Sequence, residues 1–143
     1  MKAATAYEYF GKIYIHSSSQ TVAGVWTINS PVLMAYKNDL RAIGDAIKAC
    51  LEQSRQGIPH PKAFGGLFDT VLALAGAKTY RIFARSAKCV EIEAPDDENV
   101  VLIPTRNGGV KEGFLPMETQ SFARLSSSED LGFALISAFS RAM

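Results

Sequence analysis

Between residues 39 and 61 the apolar positions follow a helical period. Leu40, Ile43, Gly44, Ile47, Leu51 and Ser54 recur at three- and four-residue spacing, with Arg41, Asp45, Lys48, Glu52 and Arg55 on the opposite side. This pattern predicts an amphipathic helix with a core side and a wet side. Asn38 or Asp39 is placed to cap its first turn, Gly57 suits a left-handed C-terminal position, and Pro59 with Pro61 prevents resumption. A second helical period, Phe64, Leu67, Phe68, Val71, Leu72 and Ala75 closed by Gly76, is nearly all apolar and predicts a buried helix. A third helix follows Ser127 or Ser128, with Leu131, Leu135, Ala138, Phe139 and Ala142 on its main face. Phe133 and Ile136 fall nearly opposite that face and are expected to be covered by another part of the domain. Gly44 and Gly132 occupy like places in two similar helical stretches, where a missing side chain lets a backbone approach closely.

Two-residue alternation marks the strands. Tyr7–Phe10 and Ile13–His16 predict a hairpin around Gly11-Lys12, followed by a polar loop at Ser17-Ser18-Ser19-Gln20. Val22, Gly24, Trp26 and Ile28 alternate as a further strand, Pro31 punctuates, and Val32–Tyr36 is a short apolar run. Thr79, Arg81, Phe83 and Arg85 alternate with Tyr80, Ile82 and Ala84, and Cys89, Glu91 and Glu93 alternate with Val90 and Ile92. Matching faces across a loop at Arg85-Ser86-Ala87 pairs Arg81 with Glu91 and Phe83 with Cys89. The loop Pro95-Asp96-Asp97-Glu98 leads to Val100–Ile103, an apolar run suited to burial on both faces, and Asn107-Gly108-Gly109 turns the chain toward Val110–Leu115. The expected fold is α+β: a mainly antiparallel twisted sheet with about three packed helices, in a single domain spanning 1–143.

Composition narrows the function without naming it. A chain of 143 residues can bury a real core, and a net charge of +1 with mixed signs offers no polybasic track for nucleic acid. The two cysteines have no metal-ligand spacing and suit a reducing compartment. The N-terminus lacks the apolar run of a signal peptide and no stretch has the length of a membrane span, so the expected location is the cytoplasm.

Candidate chemistry is sparse. The histidines are His16 at a strand end and His60 between two prolines, and a nucleophile–base pair would join one of them to Cys50 or Cys89. Cys50 lies near the core edge of the first helix, where a thiol acts as a small hydrophobe. His60 fits a hydrogen-bonded connector between elements. Asp96, Asp97 and Glu98 fan outward as consecutive acids do, and Gly108-Gly109 and Gly65-Gly66 lack phosphate-loop spacing. No cofactor or metal is expected from these residues.

Gly24-Val25-Trp26, Ser30-Pro31-Val32, Asp39-Leu40 leading to Leu51-Glu52-Gln53-Ser54-Arg55, Pro59-His60-Pro61, Lys88 to Ile92, Pro104-Thr105-Arg106, Gly113-Phe114-Leu115-Pro116 and Leu131-Gly132-Phe133-Ala134-Leu135 occur in order along nearly the whole chain. Taken together they resemble the immunity proteins of bacterial contact-dependent growth inhibition systems. The resemblance implies a non-enzymatic protein that binds a cognate toxin domain, commonly a nuclease, delivered by a neighbouring bacterium, and blocks its active site. A nuclease holds phosphates in a basic cleft, so the expected contacts are the acids Glu91, Glu93, Asp96, Asp97, Glu98 and Glu112, with Arg81, Phe83 and Arg106 as anchors. The alternative is a small cytosolic hydrolase or transferase using Cys89 or His60. A nucleic-acid adaptor would need the positive charge that the chain lacks.

Overall fold

Tyr9 to Lys12 turn the chain back on itself at the start of the computed structural model, which describes residues 1–62 and 66–143. Strands β1 (Lys2–Tyr9) and β2 (Lys12–Thr21) form the predicted hairpin, but β2 runs on through Ser17-Ser18-Ser19-Gln20. The expected polar loop is therefore wrong. Ser17, Ser18 and Ser19 are all buried, and the segment after the first long helix supplies polar partners to the latter two: Ser54 Oγ donates to the Ser18 carbonyl, and Ser19 Oγ accepts the Arg55 N–H at 3.0 Å. Strand β3 (Trp26–Tyr36) begins only after a turn that leaves Val22 and Val25 exposed, closed by the Val25 N–H on Thr21 Oγ1 at 3.2 Å. It then continues through Pro31, which the sequence pattern read as a stop. The residue lies on the sheet edge, beside a register shift opposite His16/Ser17, where a missing N–H is tolerated.

Helix α1 (Leu40–Glu52) forms as expected, with the Asp39 carboxylate accepting the Ala42 N–H at 3.1 Å. Its end differs. Gln53 caps it, and Gly57, although left-handed at a φ of 71°, lies inside β4 (Gln56–Ile58), a short strand parallel to β2. Helix α2 (Asp69–Ala75) closes at Gly76 with a φ of 72°, as predicted, while Phe64 of the predicted pattern lies outside the described residues. It is less buried than its composition suggests, Val71 being fully buried and Leu74 exposed.

The segment Thr79–Arg85 is the main correction. It is not a strand: residues Tyr80–Ser86 form helix α3, capped by Thr79 Oγ1, which accepts the Ile82 N–H at 3.2 Å. Alternation would put Phe83 on the same face as Arg81 and Arg85, whereas the helix buries Phe83 with Ala84 and leaves both arginines outside, and the Thr79 cap favours it. The pairings of Arg81 with Glu91 and Phe83 with Cys89 do not form. Strand β5 (Lys88–Ala94) instead lies between β1 and β6 (Asn99–Asn107). Beyond β6, the expected turn and strand at 107–115 become a helical turn, α4 (Gly109–Glu112), and strand β7 (Phe114–Pro116). Strand β8 (Ser121–Arg124), which no sequence pattern marked, precedes α5 (Ser128–Arg141), whose cap is Ser127.

The sheet order is β3-β2-β1-β5-β6-β7, with β4 also on β2 and β8 also on β6, and every pairing but that of β4 is antiparallel. Helices α1 and α5 cover one face over a core that includes Ile13, Ile15, Ile43, Ile47, Ile92, Leu102, Leu131 and Leu135. The two glycines do what the sequence predicts, and they do it to each other's helices. A Cβ on Gly44 would lie 1.8 Å from the Ser128 carbonyl oxygen, and one on Gly132 would lie 2.0 Å from that of Leu40. Ile136 packs against this core, whereas Phe133, expected to be covered, is exposed. On the other face, α2 and α3 enclose a second cluster with Tyr7, Tyr9, Tyr14, Phe83 and Cys89. Further along the same face Thr5, Glu91 and Glu93 are only partly buried, beside the buried His16, Ser18 and Ile103. Among the described residues, no helix is long and apolar enough to cross a membrane.

Candidate functional site

Strand register composes the helix-free half of the sheet row by row. Ile28, Ser18, Ala3, Glu93, Val101 and Phe122 are successive partners across β3, β2, β1, β5, β6 and β8, and directly opposed residues share a face. The next row is Val32, His16, Thr5, Glu91 and Ile103. The small side chains of Ala3, Thr5 and Ser18 leave a shallow pocket of about 140 Å³, with Trp26 on one side and Glu91 and Glu93 on the other.

The two glutamates differ electrostatically from Asp96, Glu98 and Glu112. Glu98 pairs with Arg124 at 3.9 Å and Glu112 with Arg106 at 3.7 Å. Asp96 is occupied within the β5–β6 turn, accepting the Glu98 and Asn99 N–H groups at 2.8 Å each and the Asn99 amide; the Asn99 side chain, then the backbone donors, hold its carboxyl below the usual range. Among the described residues, neither Glu91 nor Glu93 has a basic group within ion-pair distance. Burial, and then the charge of Glu93, raises the Glu91 carboxyl above its ordinary value.

The structure therefore divides the residues expected to act together. Glu91 and Glu93 share one face, with Asp96, Asp97 and Glu98 in the turn just beyond. Arg106 lies five residues from Val101 along β6, about 17 Å away, with its partner Glu112. Arg81 lines a separate pocket with Arg85, Lys111 and Gly108-Gly109. Phe83 cannot be a surface anchor: it is fully buried, with its ring against Tyr7, Tyr9 and Phe68. Two exposed aromatic residues escaped sequence reasoning, Trp26 and Phe122. Trp26 carried a strand signal but no sign of exposure, and Phe122 carried no signal at all.

Among the described residues, neither Cys89 nor Cys50 is assembled with a histidine as a nucleophile–base pair. Cys89 is buried, and desolvation, followed by the charge of Glu91, pushes its thiol well above the usual range. It is level with Tyr7, which pairs with Tyr14 of β2, whereas His60 Nδ1 lies 3.2 Å from Thr21 Oγ1, seven residues and about 23 Å further along β2. Cys50 is buried against the Ile15 and Pro31 carbonyls, and burial pushes it up to about 12. His16 donates from Nδ1 to the Ser17 carbonyl at 2.9 Å, so its Nε2 accepts from the Tyr7 hydroxyl at 3.2 Å. Desolvation lowers its pKa to about 4, which makes it a neutral structural imidazole.

No protein-family model and no curated protein matches the sequence. Solved structures do match the fold. A chain of a CdiA-CT/CdiI toxin and immunity complex from Yersinia pseudotuberculosis superimposes with a TM-score of 0.82 at 15% identity, over 99% of this chain and 97% of that one. A protein of unknown function from Neisseria meningitidis superimposes with a TM-score of 0.79 at 18% identity, over 99% and 95% of the two chains. At these identities the likeness establishes the fold, and it is the fold that the sequence resemblance implied.

Proposed function

We propose that this chain, which has the fold of a contact-dependent growth inhibition immunity protein, binds a cognate toxin domain in the cytoplasm and blocks its active site. The observation that carries the reading is the match over 99% of this chain and 97% of a chain from a toxin and immunity complex, which leaves almost no part of either chain outside the common fold. The chemistry of the surface agrees with it. An inhibitor needs a preorganised surface, and a stiff antiparallel sheet backed by α1 and α5 presents Glu91 and Glu93 with little freedom to lose on binding. Carboxylates held this way suit a toxin whose cleft is built to hold phosphates, and a nuclease is such a toxin. The acids of the β5–β6 turn, Asp97 above all, extend the same field. Glu112, Arg106 and Arg81 lie at the opposite end, outside the face proposed here, and Phe83 belongs to the core.

Co-expression tests this reading. The toxin domain encoded beside this chain is expected to arrest growth alone and to be silent when this chain is present. Continued arrest, with both proteins soluble and folded, would remove the assignment.

A further inference from the structure

We propose that the helix-free half of the sheet is the surface that receives the toxin domain, and that the pocket between Trp26 and the Glu91/Glu93 pair takes a lysine or arginine side chain from it. The inference rests on the immunity reading and adds to it a docking face and a partner chemistry.

Coverage is the first argument. Helices α1 and α5 close one face of the sheet, and α2 and α3 pack over Tyr7, Tyr9, Tyr14 and Phe83 on the other. Further along that face His16, Ser18 and Ile103 are buried, but Ala3, Glu91, Glu93 and Val101 are only partly buried. Trp26 and Phe122 stand at the two sides of this stretch, 37% and 72% exposed. Exposed aromatic residues are enriched at protein interfaces, and Trp26, which lines the pocket, is of the type that most often anchors one.

Charge decides the occupant. Glu91 and Glu93 are two residues apart on one strand and share a face, about 7 Å from each other, and no basic side chain of the described residues answers them. A second copy of this chain docking by the same face would bring these like charges together. Nucleic acid would bring phosphates against them. A purely apolar segment would strip water from both carboxylates and return nothing. A guanidinium or ammonium meets both carboxylates and places its charge beside the indole ring, which attracts cations through its π face. A pocket of about 140 Å³ has room for one such head group.

The test is a binding titration of the purified chain with the purified toxin domain encoded beside it. Glu91→Gln/Glu93→Gln is expected to weaken the complex by about 100-fold and to flatten its salt dependence, and Trp26→Ala by about 10-fold or more. Glu52→Lys, an equal charge change on an exposed position of α1, leaves affinity unchanged. Thermal unfolding verifies that each variant is folded. A toxin variant carrying Glu in place of its contacting basic residue is expected to regain binding to Glu91→Lys/Glu93→Lys. If the wild-type chain forms no complex, the immunity reading falls and this inference with it. If the wild type binds and the double Gln variant binds equally well, the docking face alone is wrong. Sedimentation of the wild-type chain as a dimer dispersed by Trp26→Ala would assign the face to a second copy and overturn the proposal.

Discussion

His16 and Glu91 stand in one row on the same face of the sheet, with Thr5 between them, and burial disfavours the charged form of both. The consequences for stability have opposite signs with pH. His16 titrates at about 4 in the folded chain against an ordinary value of 6.5, so its contribution is complete above about 6.5 and is lost as pH falls toward 4. Urea unfolding is expected to show about 3 kcal/mol of acid destabilisation from this one group, and His16→Gln to lack it. Glu91, raised, behaves the other way: its contribution is present below the ordinary carboxyl value and is lost as pH rises through the raised one. Glu91→Gln should therefore raise Tm at pH 7 and leave it unchanged at pH 3, while weakening the complex. A binding residue that costs its own fold stability is the expected trade-off at a functional surface.

At the scale of elements, the junction of α1 and α5 sets the packing on the covered face. In an exposed helix, replacing glycine by alanine stabilises by about 1 kcal/mol. Here the new methyl would meet backbone of the opposite helix at 1.8 Å from Gly44 and 2.0 Å from Gly132, so the sign reverses. Gly44→Ala and Gly132→Ala are each expected to destabilise by about 3 kcal/mol or more in chemical denaturation. Thr79→Ala should cost about 1 kcal/mol through the lost cap of α3. These elements also show what the sequence made legible. Helices α1 and α5 and the β1–β2 hairpin were readable because amphipathic periods and a glycine turn are local. Helix α3 was not, because seven residues do not separate a period of two from one of 3.6, and only the Thr79 cap, itself a cue in the sequence, distinguished them. Ser18 and Ser19 read as part of a loop because their partners, Ser54 and Arg55, are supplied by a distant part of the chain. The face of Glu91 and Glu93 followed from alternation. The exposure of Trp26 and Phe122 depends on where α2 and α3 stop covering the sheet, which no local pattern contains.

For the whole molecule, a net charge of +1 conceals an uneven surface: on one half of the sheet, carboxylates with no ion-pair partner among the described residues, and Arg81, Arg85 and Lys111 around a pocket near α3 and α4. Such a distribution steers encounter with a basic partner more than total charge does, so association with the toxin domain should slow markedly between about 0.05 and 0.5 M salt while dissociation changes little. The most direct test of the account is a calorimetric titration of the purified toxin domain with the purified chain, with the toxin's activity followed in the same samples. A one-to-one complex is expected, in which activity falls to zero at equivalence. Two folded proteins that show no heat and no loss of activity at micromolar concentrations would contradict it.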